Sequence, residues 1–329
     1  MDLPLVDFAD SPERQAATLG QACAEYGFFS IPQSVIPPET LPAASQAIAE
    51  FFALPTEEKM LVAFPSDGYP YGYAPLGYER LAASLGMASP ADLKETFSVG
   101  PDTGGGSLGD DPDQAWVRSP SLWPDRPSGL RFALEEYFSA MAQVAEHLMA
   151  VMARALDLPT DFFVPLIDQP ISSLRAINYP KHSPADPKNA LRAGAHTDYG
   201  TFTVLHTDQV PGLEIQDSAG NWQSVTPNPD VFVVNLGDSI ARWTNDRWRS
   251  TLHRVTTASS EQRQSLAFFH MANWDAFLDC LPTCQDAEHP ALYQPVQAGP
   301  WLKEKFQATG SVSSESKVVV SPPSESAAT

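Results

Sequence analysis

The sequence predicts a mainly β fold with flanking α-helices, in which short strands of the C-terminal half close into a barrel or sandwich. From Leu174 onward, short apolar runs (LRAINY, TFTVL, LEIQD, VFVVNL, IARW, TLHRV and SLAFF) follow one another without helical stretches between them. Turn residues separate the runs at Gly200, Pro211 with Gly212, Gly220, Gly237 with Asp238, Asn245 with Asp246, and the SSEQ segment. Just before them, Leu134, Phe138, Met141, Ala145, Leu148, Met152 and Leu156 recur at spacings of four and three, giving one apolar face of a long helix that can back a sheet.

The N-terminal part reads as mixed helix and strand. Leu3 to Phe8 is apolar enough for a short strand, and ERQAATLGQACAEYGFF then turns helical, with Leu19, Cys23 and Tyr26 on one face and Gly27 allowing an exit toward Phe28 and Phe29. A second helix is expected over about Glu39 to Leu54, and TEEK at 56–59 resembles a capping signal in which Thr56 satisfies exposed backbone donors. Glycine and proline make GYPYGY at 68–73 a loop or extended piece, where Tyr69, Tyr71 and Tyr73 either pack or line a pocket. Pro101 to Ser128 reads as a long excursion, suited to covering a site. Three regions result: 1–125 packs on the core and contributes to a substrate pocket, 126–309 holds the long helix and the β core, and 310–329 is a Ser- and Pro-rich flexible tail.

Composition narrows the function. Hydrophobic residues at 43% and charged residues at 18% fit a globular enzyme rather than a disordered chain. A net charge of -20 repels nucleic acid and anionic membrane alike. No stretch is long and apolar enough to span a bilayer, and no signal peptide is evident. The 3 cysteines make no disulfide framework, so a reducing cytoplasm is the expected compartment. No obligate protein partner is evident, and a small-molecule substrate is expected.

The chemistry concentrates in AGAHTDYG. His196 and Asp198 are two residues apart, so in an extended strand both side chains leave the same face and can converge on one ion. His253 in STLHRV completes the set if its strand crosses the same cavity. Two histidines and a carboxylate on one face of an octahedral ion leave adjacent positions open, the arrangement of non-haem iron oxygenases. Arg263 and Ser265 follow His253 by ten and twelve residues, enough for a strand, a turn at SSEQ and an antiparallel return, with guanidinium and hydroxyl on one side. Arginine grips a carboxylate through two charge-assisted hydrogen bonds and serine adds a third. A dicarboxylic keto acid can thus be held at its far end while its other end chelates iron.

These motifs, together with LPLVDF, EYGFF, LPTEEK, GYPYGYAP, LKETFSVG, INYP, GLEIQ, VVNLGD, WTNDRWRSTLHRV, RQSLAFF and WLKEKF, resemble the isopenicillin N synthase-like branch of the iron(II)/2-oxoglutarate-dependent oxygenases over residues 3 to 306. The resemblance implies a double-stranded β-helix (jelly-roll, cupin-like) core, Fe(II) held by His196, Asp198 and His253, and 2-oxoglutarate and O2 as cosubstrates. It also implies that Arg263 and Ser265 receive the distal carboxylate, with Tyr179 of INYP assisting. Plant-type relatives carry an asparagine two positions before that tyrosine, where this chain has Ile177, with Asn178 next to the tyrosine instead. Hydroxylation is the default outcome, and desaturation, ring closure or demethylation follow from the same chemistry.

Candidate contributors to the substrate pocket are Tyr71, Phe97, Phe269, Asn273 and Trp274, of which Phe269 shares parity with Arg263 and Ser265. Other residues have plainer readings. Asn235, Gly237 and Asp238 suit a turn beside the barrel, Arg254 an ion pair outside the cavity, His147 and Met149 helix packing, and His206 and His270 lack the spacing of ligands. Three other function classes remain: an O2-dependent iron oxidase of the same branch that binds another carboxylate, or an ethylene-forming reaction; a zinc hydrolase; and a non-catalytic binding protein.

Overall fold

Each strand has two faces to cover, and the chain covers one with helices and the other with a second sheet. The structure is a computed structural model and describes residues 1–66, 68–86, 90–101, 112–181 and 190–310. In the N-terminal part, α1 (Pro12–Glu25) leads into β1 (Phe28–Pro32), followed by α2 (Thr40–Phe52), α3 (Thr56–Met60), β2 (Gly72–Ala74), β3 (Glu95–Val99) and α4 (Pro112–Val117). The long helix α5 (Leu130–Ala155) and the short α6 (Val164–Ile167) precede β4 (Ser173–Tyr179), β5 (Ala193–His196), β6 (Phe202–Thr207), β7 (Leu213–Gln216), β8 (Trp222–Ser224) and β9 (Val231–Leu236). Then come α7 (Asp238–Trp243), β10 (His253–Val255), β11 (Arg263–His270), β12 (Phe277–Leu278), β13 (Val296–Gln297) and α8 (Ala298–Gly310).

The large sheet has seven strands in the order β1-β9-β6-β11-β4-β3-β2, and the small one has four in the order β5-β10-β7-β8. Every pairing within both is antiparallel. The sheets face each other: Ile177, Tyr179 and Ala267 of the large sheet pack with Ala193 and Val255 of the small one. This is the double-stranded β-helix arrangement.

Alternation along β11 assigns its two sides. Leu266 and Phe268 point to the helical layer and join the main core, where Phe268 meets Phe138 of α5 edge-on at 5.1 Å. Arg263, Ser265, Ala267 and Phe269 have the opposite parity and line the interior between the sheets. Thus α5 does back a sheet, and α1 and α2 pack against it in turn.

Several local expectations are corrected. Leu3 to Phe8 forms only a parallel bridge at Leu5 to Ser30, because Pro4 has no N–H with which to extend a ladder. Thr56 is the first helical residue of α3, not its cap; Pro55 precedes it in the capping position, and no side chain bonds there. Tyr26 ends α1 half-buried rather than extending its core face. IARW is not a strand but most of α7: Gly237 enters it extended, and Ile240 and Trp243, three apart, share its buried side. Conversely, FFSIP and ETFSV become β1 and β3 with nearly every residue buried, so no polar alternation announces them. Asn245 and Asp246 form the expected turn, both at positive φ (55° and 60°). Part of the proposed covering excursion, 102–111, and the tail after residue 310 lie outside the described residues; from residue 112 the excursion is described and begins with α4. Among the described residues no helix is long and apolar enough to cross a membrane.

Gly27 turns the chain from α1 into β1 at φ +67°, and a Cβ there would fall well inside van der Waals contact with the Arg249 carbonyl oxygen. Gly27→Ala therefore costs stability by about 2 kcal/mol, through both strained backbone and a clash that backbone must absorb. Urea unfolding checks this: the midpoint falls with little change in slope, whereas an unchanged midpoint contradicts the assignment.

Candidate active site

The antiparallel register of β5 and β10 sets His196 opposite His253, with an irregularity in the pairing before Val255 and Ala193. Asp198 lies just past the end of β5. Its carboxylate oxygen Oδ1 is 3.7 Å from His196 Nε2 and 3.8 Å from His253 Nε2. One potential ligand atom from each residue lies within 4.8 Å of the other two, and this is the only such cluster of His, Cys, Asp or Glu among the described residues.

Each group is held by what lies behind it. His196 Nδ1 is 2.7 Å from the Gly194 carbonyl and His253 Nδ1 is 3.1 Å from the Thr251 carbonyl. A carbonyl can only accept, so each Nδ1 carries the proton and each Nε2 presents its lone pair to the shared centre. Asp198 Oδ2 accepts from the Thr203 hydroxyl and, at 2.7 Å, from the Asn235 amide, which leaves Oδ1 for a cation. The Asp198 carbonyl accepts the Asp238 N–H at 2.8 Å, and a Cβ on Gly237 would collide with the Gly200 carbonyl oxygen. Glycine there lets the start of α7 close against the Asp198 turn.

Electrostatics keep His196 and Asp198 in their binding forms. Burial, followed by the neighbouring His253, pushes His196 down to about 3, so its ring is neutral in ordinary buffer. Burial alone would raise Asp198, but His253, His196 and the hydrogen bonds from Thr203 and Asn235 outweigh it and hold its carboxyl below the usual range. A neutral His196 imidazole beside an ionised Asp198 carboxylate suits a divalent metal of the iron type.

A second set of groups faces the same interior. Arg263 and Ser265 are each 1% exposed, yet the Arg263 Nε and Nη1 and the Ser265 Oγ have no hydrogen-bond partner among the described residues. Tyr179 pairs with Arg263 across β4 and β11, and its ring lies 5.0 Å from the guanidinium. Buried donors without acceptors are costly, so this cradle fits a carboxylate-bearing molecule. Ile177 shares that interior, whereas Asn178 faces away and its amide donates to Glu95 at 2.8 Å.

The pocket candidates separate. Phe269 lies on the interior face, with the Arg175 guanidinium 5.9 Å from its ring. Trp274 packs with Val117, Ile171, Met271 and Leu302 in a cluster that Phe269 and Tyr199 join. Tyr71 is buried and its hydroxyl donates to the Val117 carbonyl. Phe97 is on the helical side of β3, against Phe51 at 4.8 Å, and the structure does not bring it to the triad. Asn273 bridges Asp168 (2.6 Å), the Pro165 carbonyl and the Gln169 N–H, bracing a chain reversal. Arg254 pairs with Glu214 at 2.7 Å outside the cavity. His206 and His270 stand apart from the cluster, and burial lowers both.

The sequence reading set Asn235 in a turn and missed Thr203; Asn235 instead lies in β9, where it and Thr203 grip Asp198, and an asparagine inside the apolar run VFVVNL was the available signal. It also missed the charged wall of Glu79, Lys94 and Arg175. Burial opposes ionisation of Glu79, yet Arg175 at 3.1 Å and Lys94 at 2.8 Å bring it down to about 2. Nothing in the sequence puts these distant residues together.

A family model described as the 2OG-Fe(II) oxygenase superfamily matches residues 170–272, and one described as the N-terminal region of non-haem dioxygenases in morphine synthesis matches residues 3–126. The chain is 35% identical over 286 residues to the 2-oxoglutarate-Fe(II) type oxidoreductase hxnY of Emericella nidulans, covering 84% of this chain and 79% of that protein. It is 32% identical over 314 residues to the proline hydroxylase buaE of Petromyces alliaceus, covering 89% and 95%. Its structure resembles that of a full-length Neurospora crassa protein in complex with alpha-KG and thymine, with a TM-score of 0.80, 27% identity and coverage of 93% and 97%.

Asn235→Ala removes one of the two donors that aim Asp198. Equilibrium titration with a divalent metal should show affinity weakened by about 10–100-fold, the usual cost of losing a ligand's hydrogen-bonding support. Retained affinity would mean that Thr203 alone orients the carboxylate.

Proposed function

The chain belongs to the 2OG-Fe(II) oxygenase superfamily, and from that premise we propose that it couples decarboxylation of 2-oxoglutarate to succinate and CO2 with C–H hydroxylation of a small molecule. It is an oxidoreductase that uses iron(II) and 2-oxoglutarate. The observation carrying the finer reading is a converging His-Asp-His set that shares one interior with the buried N–H and O–H donors of Arg263 and Ser265, which have no partner among the described residues.

In this reading His196, Asp198 and His253 hold the iron, and Arg263 with Ser265 receives the far carboxylate of 2-oxoglutarate while Tyr179 supports the guanidinium. Iron(II), when bound, supplies the activation of O2 that the protein's own groups lack. The residues' part is positional. Thr203 and Asn235 keep one Asp198 oxygen turned to the metal, and the Gly194 and Thr251 carbonyls fix the imidazole tautomers. The buried interior limits access of water to the reacting centre.

The substrate is placed by the wall on which Phe269 meets Arg175, with Glu79 and Lys94 behind it, and Trp274 extends that wall toward Tyr199. Tyr71 backs it through its hydrogen bond to Val117, which packs with Trp274. Related proteins named as a proline hydroxylase and as a thymine complex favour a compact polar metabolite. An oxidase without 2-oxoglutarate and a zinc hydrolase are disfavoured by the relatives, and a non-catalytic binder by the preserved triad.

Anaerobic reconstitution with iron(II) followed by optical titration with 2-oxoglutarate tests the assignment. A saturable visible charge-transfer band is expected, with its midpoint raised at least about tenfold by Arg263→Ala and the band itself abolished by His196→Ala. Iron binding without such a band would sink the 2-oxoglutarate reading. In air, mass analysis of turnover should find succinate and a substrate heavier by one oxygen, whereas ethylene or a desaturated product would replace hydroxylation.

A further inference from the structure

Arg192 stands immediately before β5, is 1% exposed, and has no role in the reaction as described so far. Its Nη2 donates to the Glu261 carbonyl, but its Nε and Nη1 have no partner among the described residues. A guanidinium stays charged in a protein, and two buried donor nitrogens left unpaired are expensive.

Its surroundings place it at the cosubstrate end of the interior. Glu261, which accepts from Arg192, is two residues before Arg263, and Arg263 pairs directly with Tyr179. Burial and then the positive charge of Arg263 both lower Arg192, as expected for like charges sharing one region. Asp208 is a nearby counter-charge, but its two oxygens already accept the Val210 N–H at 3.1 Å and the Gln264 N–H at 2.6 Å. A purely structural role at the 259–262 turn uses Nη2 and leaves the other two nitrogens unexplained.

We propose that Arg192 is a second guanidinium for the far carboxylate of the keto acid, acting beside Arg263 and Ser265. The proposal rests on the binding reading above, in which that carboxylate lies at Arg263. An anion arriving between two mutually repelling cations relieves their repulsion as well as pairing their donors, so this end of the site selects strongly for a charged terminus.

The experiment uses anaerobic, iron(II)-loaded full-length protein and two probes: 2-oxoglutarate, and 2-oxopentanoate, which chelates through the same keto-acid end but has no far carboxylate. Arg192→Met should raise the dissociation constant for 2-oxoglutarate about tenfold and leave that for 2-oxopentanoate unchanged. Arg192→Lys keeps a donor and the charge, should recover part of the loss, and serves if the methionine variant does not fold. Equal weakening of both probes, or no weakening of either, would reduce Arg192 to a brace for the turn. A band that requires Arg263 but is indifferent to Arg192 overturns this proposal alone, whereas no band in the unsubstituted protein overturns the binding reading with it.

Discussion

Three potential ligands crowd within 4.8 Å with only the protein to hold them, and the interaction that permits this is the backbone pairing of β5 with β10. Strand pairing fixes His196 opposite His253 before any metal is considered. The remaining freedom, rotation of each side chain, is removed by hydrogen bonds on the far side of each group. Both imidazoles are tied to carbonyls two residues earlier in the chain, and Asp198 is tied to Thr203 and Asn235 of the opposite sheet. The metal geometry is thus a property of the sheets, and the helices serve it at one remove by burying the outer face of the large sheet.

That burial explains the uneven distribution of polar groups. Among the residues of β11, Leu266 and Phe268 face the helical layer, and Phe268 anchors α5. Those facing inward begin with Arg263 and Ser265 and end at Phe269, so one strand runs from a charged cradle to an aromatic wall. The period-two geometry of a strand makes both surfaces available from eight residues. It also puts the buried Arg263 guanidinium on the face between the sheets rather than in the hydrocarbon core against the helices.

Legibility in the sequence followed the range of each interaction. His196 and Asp198 were readable because their relation is local, and Arg263 and Ser265 because a turn and a parity argument carry them from His253. The long helix was readable from its repeating apolar face. Strands buried on both sides, such as ETFSV, show no alternation and escaped notice, while IARW was too short to distinguish a helical turn from a strand. Phe97 was misjudged because only the sheet order tells which face of β3 looks inward. Asn235 and Glu79 act through partners far along the chain, Asp198 in one case and Arg175 and Lys94 in the other; a polar residue within VFVVNL marks a special position, but no local pattern names its partner.

The division of the site between two sheets has a mechanical side. The histidines belong to the small sheet and the arginine–serine pair to the large one, and between β10 and β11 the chain passes from one to the other through a single turn. A molecule chelated at one end and gripped at the other is a strut across the sandwich, with its length setting the gap. Occupancy should therefore be felt beyond the cavity, as slower amide exchange along the two facing strands. A shorter or longer diacid would strain the spacing of the sheets themselves, which makes the scaffold a gauge of its own ligand.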